Sequence, residues 1–182
     1  MKNILEQLQK EAIRLGATEA KVIPISSIVI DERVRLKCLV PLCDKYNQNL
    51  MCPPNLPSVE EFRKSISRYS KALFVQLTLE KKGKVSKAEA RKHGLKLHKI
   101  IHDLERKAFS SGYPLAAGLI GGSCKLCRKC VGNPYPCRHP LMATPSMEGM
   151  GIDVIQTSKK IGLPFHFPVQ HHLSWNGLML IE

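Results

Sequence analysis

Lys71 to Leu79 reads KALFVQLTL, and the pattern within it decides the class of fold. Leu73, Val75, Leu77 and Leu79 fall on one face and Gln76 and Thr78 on the other, the two-residue period of a β-strand. Upstream, Ser58 with Glu61 three residues later makes a capping box. A helix is therefore expected from Val59 to about Arg68, with Phe62, Ile66 and Tyr69 as its buried stripe. Downstream, Ser86 and Glu89 open another helix. Its Ala90, Leu97, Ile101, Leu104 and Ala108 recur at core-facing spacings, and Gly94 weakens it by about 1 kcal/mol relative to Ala.

Further out, Ile4, Leu5, Leu8, Ala12 and Leu15 predict an amphipathic helix from about Asn3 to Leu15 that stops at Gly16. Lys21 to Asp31 is rich in Val and Ile and reads as extended, with Pro24 confining it to an edge or to two short pieces. Pro114 to Ile120 (PLAAGLI) is a short strand, ended by Gly121, Gly122 and Ser123. Thr144 and Pro145 suit the N-cap and first position of a helix running to Lys159 and Lys160, with Gly162 and Pro164 as stop signals. Trp175-Asn176-Gly177-Leu178 resembles a hairpin on an Asn-Gly turn. These signals add up to an α/β fold, a mixed four- to five-stranded sheet with flanking helices and two cysteine-rich metal-binding loops.

The chain has 182 residues, 43% of them hydrophobic, enough for one domain spanning 1–182 to bury an ordinary core without disulfides. No apolar run is long enough to span a bilayer, and Met1 to Gly16 mixes charge with apolar residues at helical spacing. The expectation is a cytoplasmic protein with no membrane association. In a reducing compartment seven cysteines, an odd number, point to metal or redox chemistry more than to cross-links.

Those cysteines fall in two groups, Cys38, Cys43 and Cys52, then Cys124, Cys127, Cys130 and Cys137. Cys124-x2-Cys127-x2-Cys130 is the most specific signal. Three thiolates at three-residue intervals wrap one corner of a cubane, as the bacterial ferredoxin loop holds three irons of a [4Fe–4S] cluster. Cys137, among Pro134, Pro136 and Pro140, can supply the fourth ligand. Zinc ribbons, the competing reading, use two well-separated CxxC knuckles. The ferredoxin run continues x3-Cys-Pro, whereas here it continues x6-Cys137-Arg138. Cys137 can thus be the local fourth ligand, which is favoured, or can cross to a second site in exchange for Cys52-Pro53. Cys38-x4-Cys43-x8-Cys52 is less specific and suits zinc, a cluster or a redox site; three thiolates on a [4Fe–4S] cluster would leave one iron open.

The stretch KCLVPLCDKYNQNLMCPPNLPSVEEFRKSISRYSKALF, with GSCKLCRKCVGNPYPCRHPLMATPSMEGMGIDV some 70 residues later, resembles the bacterial and archaeal predicted metal-binding proteins grouped as domain of unknown function 2284. Cys38, Cys43 and Cys52-Pro53-Pro54 match its first motif. Cys124, Cys127, Cys130, Cys137, Arg138-His139-Pro140 and Pro145-Ser146-Met147-Glu148 match its second. The resemblance implies iron–sulfur or other metal binding by these cysteines and implies no reaction.

Arg138 and His139 adjoin Cys137 and are expected to donate hydrogen bonds to cluster sulfurs. His93, His98 and His102 are expected at solvated or edge positions, and His166, His171 and His172 are unplaced. Of the formal charge of +13, Lys81 to Lys107 supplies +7. A solvated face is its first reading and docking of an acidic redox partner, such as a ferredoxin or flavodoxin, its second. Nucleic acid ranks third, because no aromatic residues interleave the lysines. Neither a P-loop, a dinucleotide fingerprint, a GxSxG elbow nor an HExxH is present, so no catalytic residue is assigned. Three readings remain open: an iron–sulfur protein with one or two [4Fe–4S] clusters in electron transfer; an enzyme whose three-cysteine cluster activates a small substrate, a sulfur-containing one among the candidates, at an open iron; and a zinc-stabilised interaction module.

Overall fold

The computed structural model describes residues 4–80, 85–163 and 172–182. Four strands, β1 (Glu19–Pro24), β2 (Lys71–Glu80), β3 (Ala117–Ile120) and β4 (His172–Ile181), form one sheet in the order β1-β2-β4-β3. The five helices are α1 (Ile4–Arg14), α2 (Glu32–Leu36), α3 (Val59–Ile66), α4 (Lys87–Ser110) and α5 (Val154–Lys160). The α/β class and the strand number are as expected. The pairing is not mixed, because all three strand pairs are antiparallel. Parallel pairing among the described residues is limited to the isolated bridge between Ile120 and Ser146.

The sheet is covered on both faces. On one, Leu8 and Ala12 of α1 and Leu97, Ile101, Leu104 and Ala108 of α4 pack on Leu73, Val75 and Met179. On the other, Phe62 and Ile66 of α3 join Met147, Met150, Ile152 and Val154 against Ala72, Phe74, Leu178 and Leu180. Leu73 and Phe74, opposite in direction, are both fully buried, each worth about 1.5–3 kcal/mol by area. Residues 72–77 are therefore buried without a break, and the polar face of β2 holds a second core. Gln76 remains polar there by donating from Nε2 to Asn176 Oδ1 on β4 at 3.0 Å.

Local signals placed most helices. The Ser58–Glu61 capping box is formed in both directions, and Ser86 Oγ accepts the Glu89 N–H at 3.1 Å. Gly16 follows α1 at φ 94°, the left-handed conformation that ends a helix. β1 stops at Pro24 on the sheet edge and gives way to a 3-10 turn, Ile25–Ser27, so the extended segment is shorter than expected. The beginning of the α1 prediction (Asn3), Lys81, Lys82 and Lys84 of the basic stretch, Pro164, His166 and His171 lie outside the described residues.

Two expectations are overturned. Asn176-Gly177 is no turn; it lies inside β4, which pairs with β2 over its whole length from His172 to Ile181. Gly177 serves close packing, since a Cβ there would come within 2.7 Å of Ile101 Cδ1 on α4. Thr144 and Pro145 do not open a helix. Pro145 accepts the Ile120 N–H at 3.0 Å and Met147 donates to the Ile120 carbonyl at 2.8 Å, so the segment runs beside β3. The helix begins at Val154, capped by Asp153, whose carboxylate accepts the Gln156 N–H at 2.8 Å.

Candidate metal centre

The first cysteine loop begins at α2. Its N-cap, Asp31, accepts from the Arg33 backbone N–H and pairs with the Arg33 guanidinium, which holds the carboxyl down to about 2. Arg35 reaches from α2 to the Pro57 carbonyl and so spans the base of the loop. Inside, the Cys43 N–H donates to the Cys38 carbonyl at 3.1 Å and Asn47 donates to the Pro53 carbonyl at 2.9 Å. These turns fold the connection between α2 and α3 until Cys38, Cys43 and Cys52 line one small cavity of about 150 Å³, with Ser146 and Glu148 also in its wall.

The second loop leaves the end of β3. Gly121 donates to the Asn176 carbonyl at 2.7 Å, and Gly122, at φ 76°, turns the chain and donates to Glu148 Oε2 at 2.8 Å. Cys124, Cys127, Cys130 and Cys137 then share a second, tight cavity, with His139 among its lining residues. Each cysteine group is thus gathered within its own loop, Cys137 with its sequence neighbours and Cys52 with Cys38 and Cys43. All seven cysteines are free thiols. Among the described residues, no three His, Cys, Asp or Glu side chains converge as they would around a single metal ion.

Backbone amides point at the sulfurs. The Leu126 and Thr144 N–H groups donate to Cys124, the His139 N–H lies 3.4 Å from Cys137 Sγ, and the Lys45 N–H lies 3.5 Å from Cys43 Sγ. Donors of this kind stabilise the charged sulfur. Opposing them, burial and then the neighbouring Cys38, Cys43 and Glu148 push the Cys52 thiol up to about 12. Burial, Cys43 and Glu148 raise Cys38 as well, and burial raises Cys124. Thiols so arranged hold their protons unless a cation shares the site; a bound metal supplies that charge and releases them.

Three residues that spacing does not reveal brace the loops, and Asn49 joins one to the other. Asn49 is buried and donates from Nδ2 to the Cys124 carbonyl at 3.0 Å while its Oδ1 accepts the Met51 N–H at 3.0 Å. Glu148 links Gly122 to Ser146, accepting from the Ser146 hydroxyl at 3.0 Å. Lys125 crosses Gly94 of α4, where a Cβ would come within 2.7 Å of its Cδ, and donates to the Ser123 carbonyl at 2.9 Å. Burial lowers the Lys125 ammonium's pKa, while Glu148, Cys124 and Cys52 draw it back up. The helix-weakening glycine of α4 is thereby the channel for this lysine. All three lie within the stretches that the sequence singled out, Asn49 and Lys125 at positions between cysteines.

Arg138 and His139 are both exposed beside the second group, His139 reaching the sulfur through its backbone N–H. His93 is half-buried and stacks on Trp175 with centroids 4.8 Å apart. His98 departs from the solvated position expected of it. It is fully buried and its Nε2 donates to the Met142 carbonyl at 2.8 Å, pinning the return of the second loop to α4. Nor do the basic residues of α4 share one face: Lys87 and Arg91 turn to the cysteine loops, Lys96 covers Gly16, and Lys107 pairs with Glu11 of α1.

The family model described as "Predicted metal-binding protein (DUF2284)" matches residues 21–181, a span holding both cysteine groups and the segments that join them. The chain belongs to this family. The match begins inside β1 and takes in Asn49, Lys125 and Glu148 together with every cysteine. No curated protein and no solved structure matches the chain. Among the described residues no helix is long and apolar enough to cross a membrane.

Proposed function

We propose that this member of a metal-binding family is an iron–sulfur protein that carries electrons, with two [4Fe–4S] clusters. Cys124, Cys127, Cys130 and Cys137 hold one and Cys38, Cys43 and Cys52 the other. The observation that carries the reading is the separate gathering of four and of three thiols in adjacent loops, with backbone N–H groups directed at their sulfurs. Each cluster, when bound, supplies a one-electron couple whose potential follows its charge, hydrogen bonds and exposure. The chain contributes the amides at Leu126, Lys45, His139 and Thr144, the cation of Lys125 between the loops, and Asn49, which fixes their spacing. Arg138 and His139 border the more exposed side of the four-thiol group and tune it. An acidic ferredoxin-like or flavodoxin-like protein suits a donor or acceptor, because complementary charge speeds encounter with a basic surface.

Anaerobic purification with iron, zinc and acid-labile sulfide analysis and EPR tests this. The expected result is a brown protein with about eight irons and eight sulfides per chain. Colourless protein containing zinc but neither iron nor sulfide overturns the reading in favour of a zinc-stabilised interaction module.

A second reading draws on the wall of the three-thiol cavity, where Ser146 and Glu148 stand in place of a fourth cysteine. There the open iron of a three-cysteine cluster would meet a small substrate, a sulfur-containing one among the candidates, and the four-cysteine cluster would feed it electrons. A small ligand that changes the EPR signal of one cluster alone favours this enzyme.

A further inference from the structure

A cleft of about 730 Å³ opens between the first cysteine loop, the start of α4 and the second cysteine loop. That volume is in the range of small-molecule sites. Its walls carry Lys45, Lys87, Arg91, Lys125, Arg128 and Lys129 against a single acid, Asp44. Lys45 is spent on Asp44 at 2.6 Å, and Lys125 is turned to the Ser123 carbonyl and toward Glu148 and the thiols. Lys87, Arg91, Arg128 and Lys129 have no ion pair or side-chain hydrogen bond to any described residue. They come from two separate elements, α4 and the second loop, and their like charges face the same cleft.

The geometry points to a binding site for a diphosphate group, free or carried on a small organic molecule. Lys87 is the first residue of α4, so the helix N-terminus adds its partial positive charge at the same wall. Arg91 and Arg128 supply forks that match phosphate oxygens, and Lys87 and Lys129 supply point charges. Four positive charges balance the three to four negative charges of a diphosphate. Trp175 and Ala90 add an apolar wall that suits an organic portion. Cys124, Cys127 and Cys130 line the same cleft, so the ligand would lie against the loop assigned above to the four-cysteine cluster. The inference stands on the cations and holds whatever metal the thiols take.

The test uses the full chain, purified anaerobically, with its iron and sulfide content measured on the same sample so that the cluster reading is scored separately. Pyrophosphate and, in a second arm, ADP are titrated at fixed ionic strength. Binding is followed by calorimetry and by the fluorescence of Trp175, the chain's single tryptophan. Saturable one-to-one binding is expected. Arg91→Ala and Arg128→Ala should each weaken it roughly tenfold or more, Arg91→Lys should fall between, and Lys159→Ala on α5 should change nothing. Tighter binding of ADP assigns the carried diphosphate; equal binding assigns the free one. The proposal is overturned by lack of saturation at millimolar concentrations, by folded Arg91→Ala protein that binds as well as the parent, or by citrate and sulfate binding as tightly. It also falls if a single-stranded oligonucleotide displaces pyrophosphate at far lower concentration, since the cleft would then be part of a polyanion track.

Discussion

Asn49 Nδ2 stands 3.0 Å from the Cys124 carbonyl oxygen, and this hydrogen bond joins two cysteine loops that lie 75 residues apart in sequence. Asn49 is itself buried, and its own carbonyl accepts from Asn55 at 3.4 Å. Removing the amide leaves a part-buried Cys124 carbonyl and the Met51 N–H without their partner, which costs about 1–3 kcal/mol. Asn49→Ala is therefore expected to lower the thermal midpoint and to disturb the EPR signals of both centres, not of one. A variant that alters only the Cys38, Cys43 and Cys52 signal would show that the bond does not couple the loops.

The separation of the thiols into two cavities predicts separable metal loss. Cys130→Ser or Cys137→Ser should remove about half of the iron and sulfide and leave the three-cysteine centre's EPR signal, while Cys43→Ser should do the reverse. If Cys137→Ser instead abolished the signal of the Cys38, Cys43 and Cys52 centre, the ligands would cross between loops. Metal analysis and EPR on each variant decide between the two.

At Gly177 the prediction is steric. A Cβ would approach Ile101 Cδ1 to 2.7 Å and Cγ1 to 2.8 Å, against the fully buried centre of α4. Gly177→Ala should destabilise by about 1–3 kcal/mol, as overpacking does. Ile101→Val removes one of the two clashing carbons, so the double variant should lose less than the sum of the two single losses. Urea denaturation of the four proteins closes the cycle. Strict additivity would rule out this contact as the reason for glycine.

That same residue marks where local reading stops. Ser58 with Glu61 names a helix start because both halves of the capping box lie within one turn, and it formed as read. Asn176-Gly177 carries the same local signature for a hairpin turn as for a strand lying close under a helix. Only the contact with Ile101 of α4, more than seventy residues earlier, distinguishes them. Thr144-Pro145 is similar, since its backbone partner is Ile120 on β3 and no nearby residue announces that bridge. The candidate metal site divides along the same line. Cysteine spacing separated four thiols from three because each group closes within its own loop. Asn49, Lys125 and His98 were not legible, because each acts on a different segment: Asn49 on Cys124, Lys125 across Gly94, and His98 on Met142. Charge was legible in amount but not in direction. The basic stretch is there, yet its side chains serve the cleft, Gly16 and Glu11 separately.

His98 gives the last prediction, a dependence on pH. Its ring is fully buried, and Nε2 carries the proton that bonds the Met142 carbonyl, while Nδ1 has no partner among the described residues. Burial, then the nearby positive charge of Lys125 and His102, lower its pKa below the ordinary 6.5, with the Met142 bond opposing them. The unfolded chain thus takes up this proton before the folded one does. The contribution to stability is fully present above pH 6.5 and is lost as pH falls from there through the folded value. His98→Gln keeps an N–H for Met142 and removes the titration, so its thermal midpoint should fall less than the parent's between pH ~7.5 and pH ~5.5, on either side of the ordinary histidine value. Paired melts at the two pH values measure the difference, with the carboxylates common to both proteins cancelling. Parallel losses in parent and variant would mean that His98 does not set the acid limit.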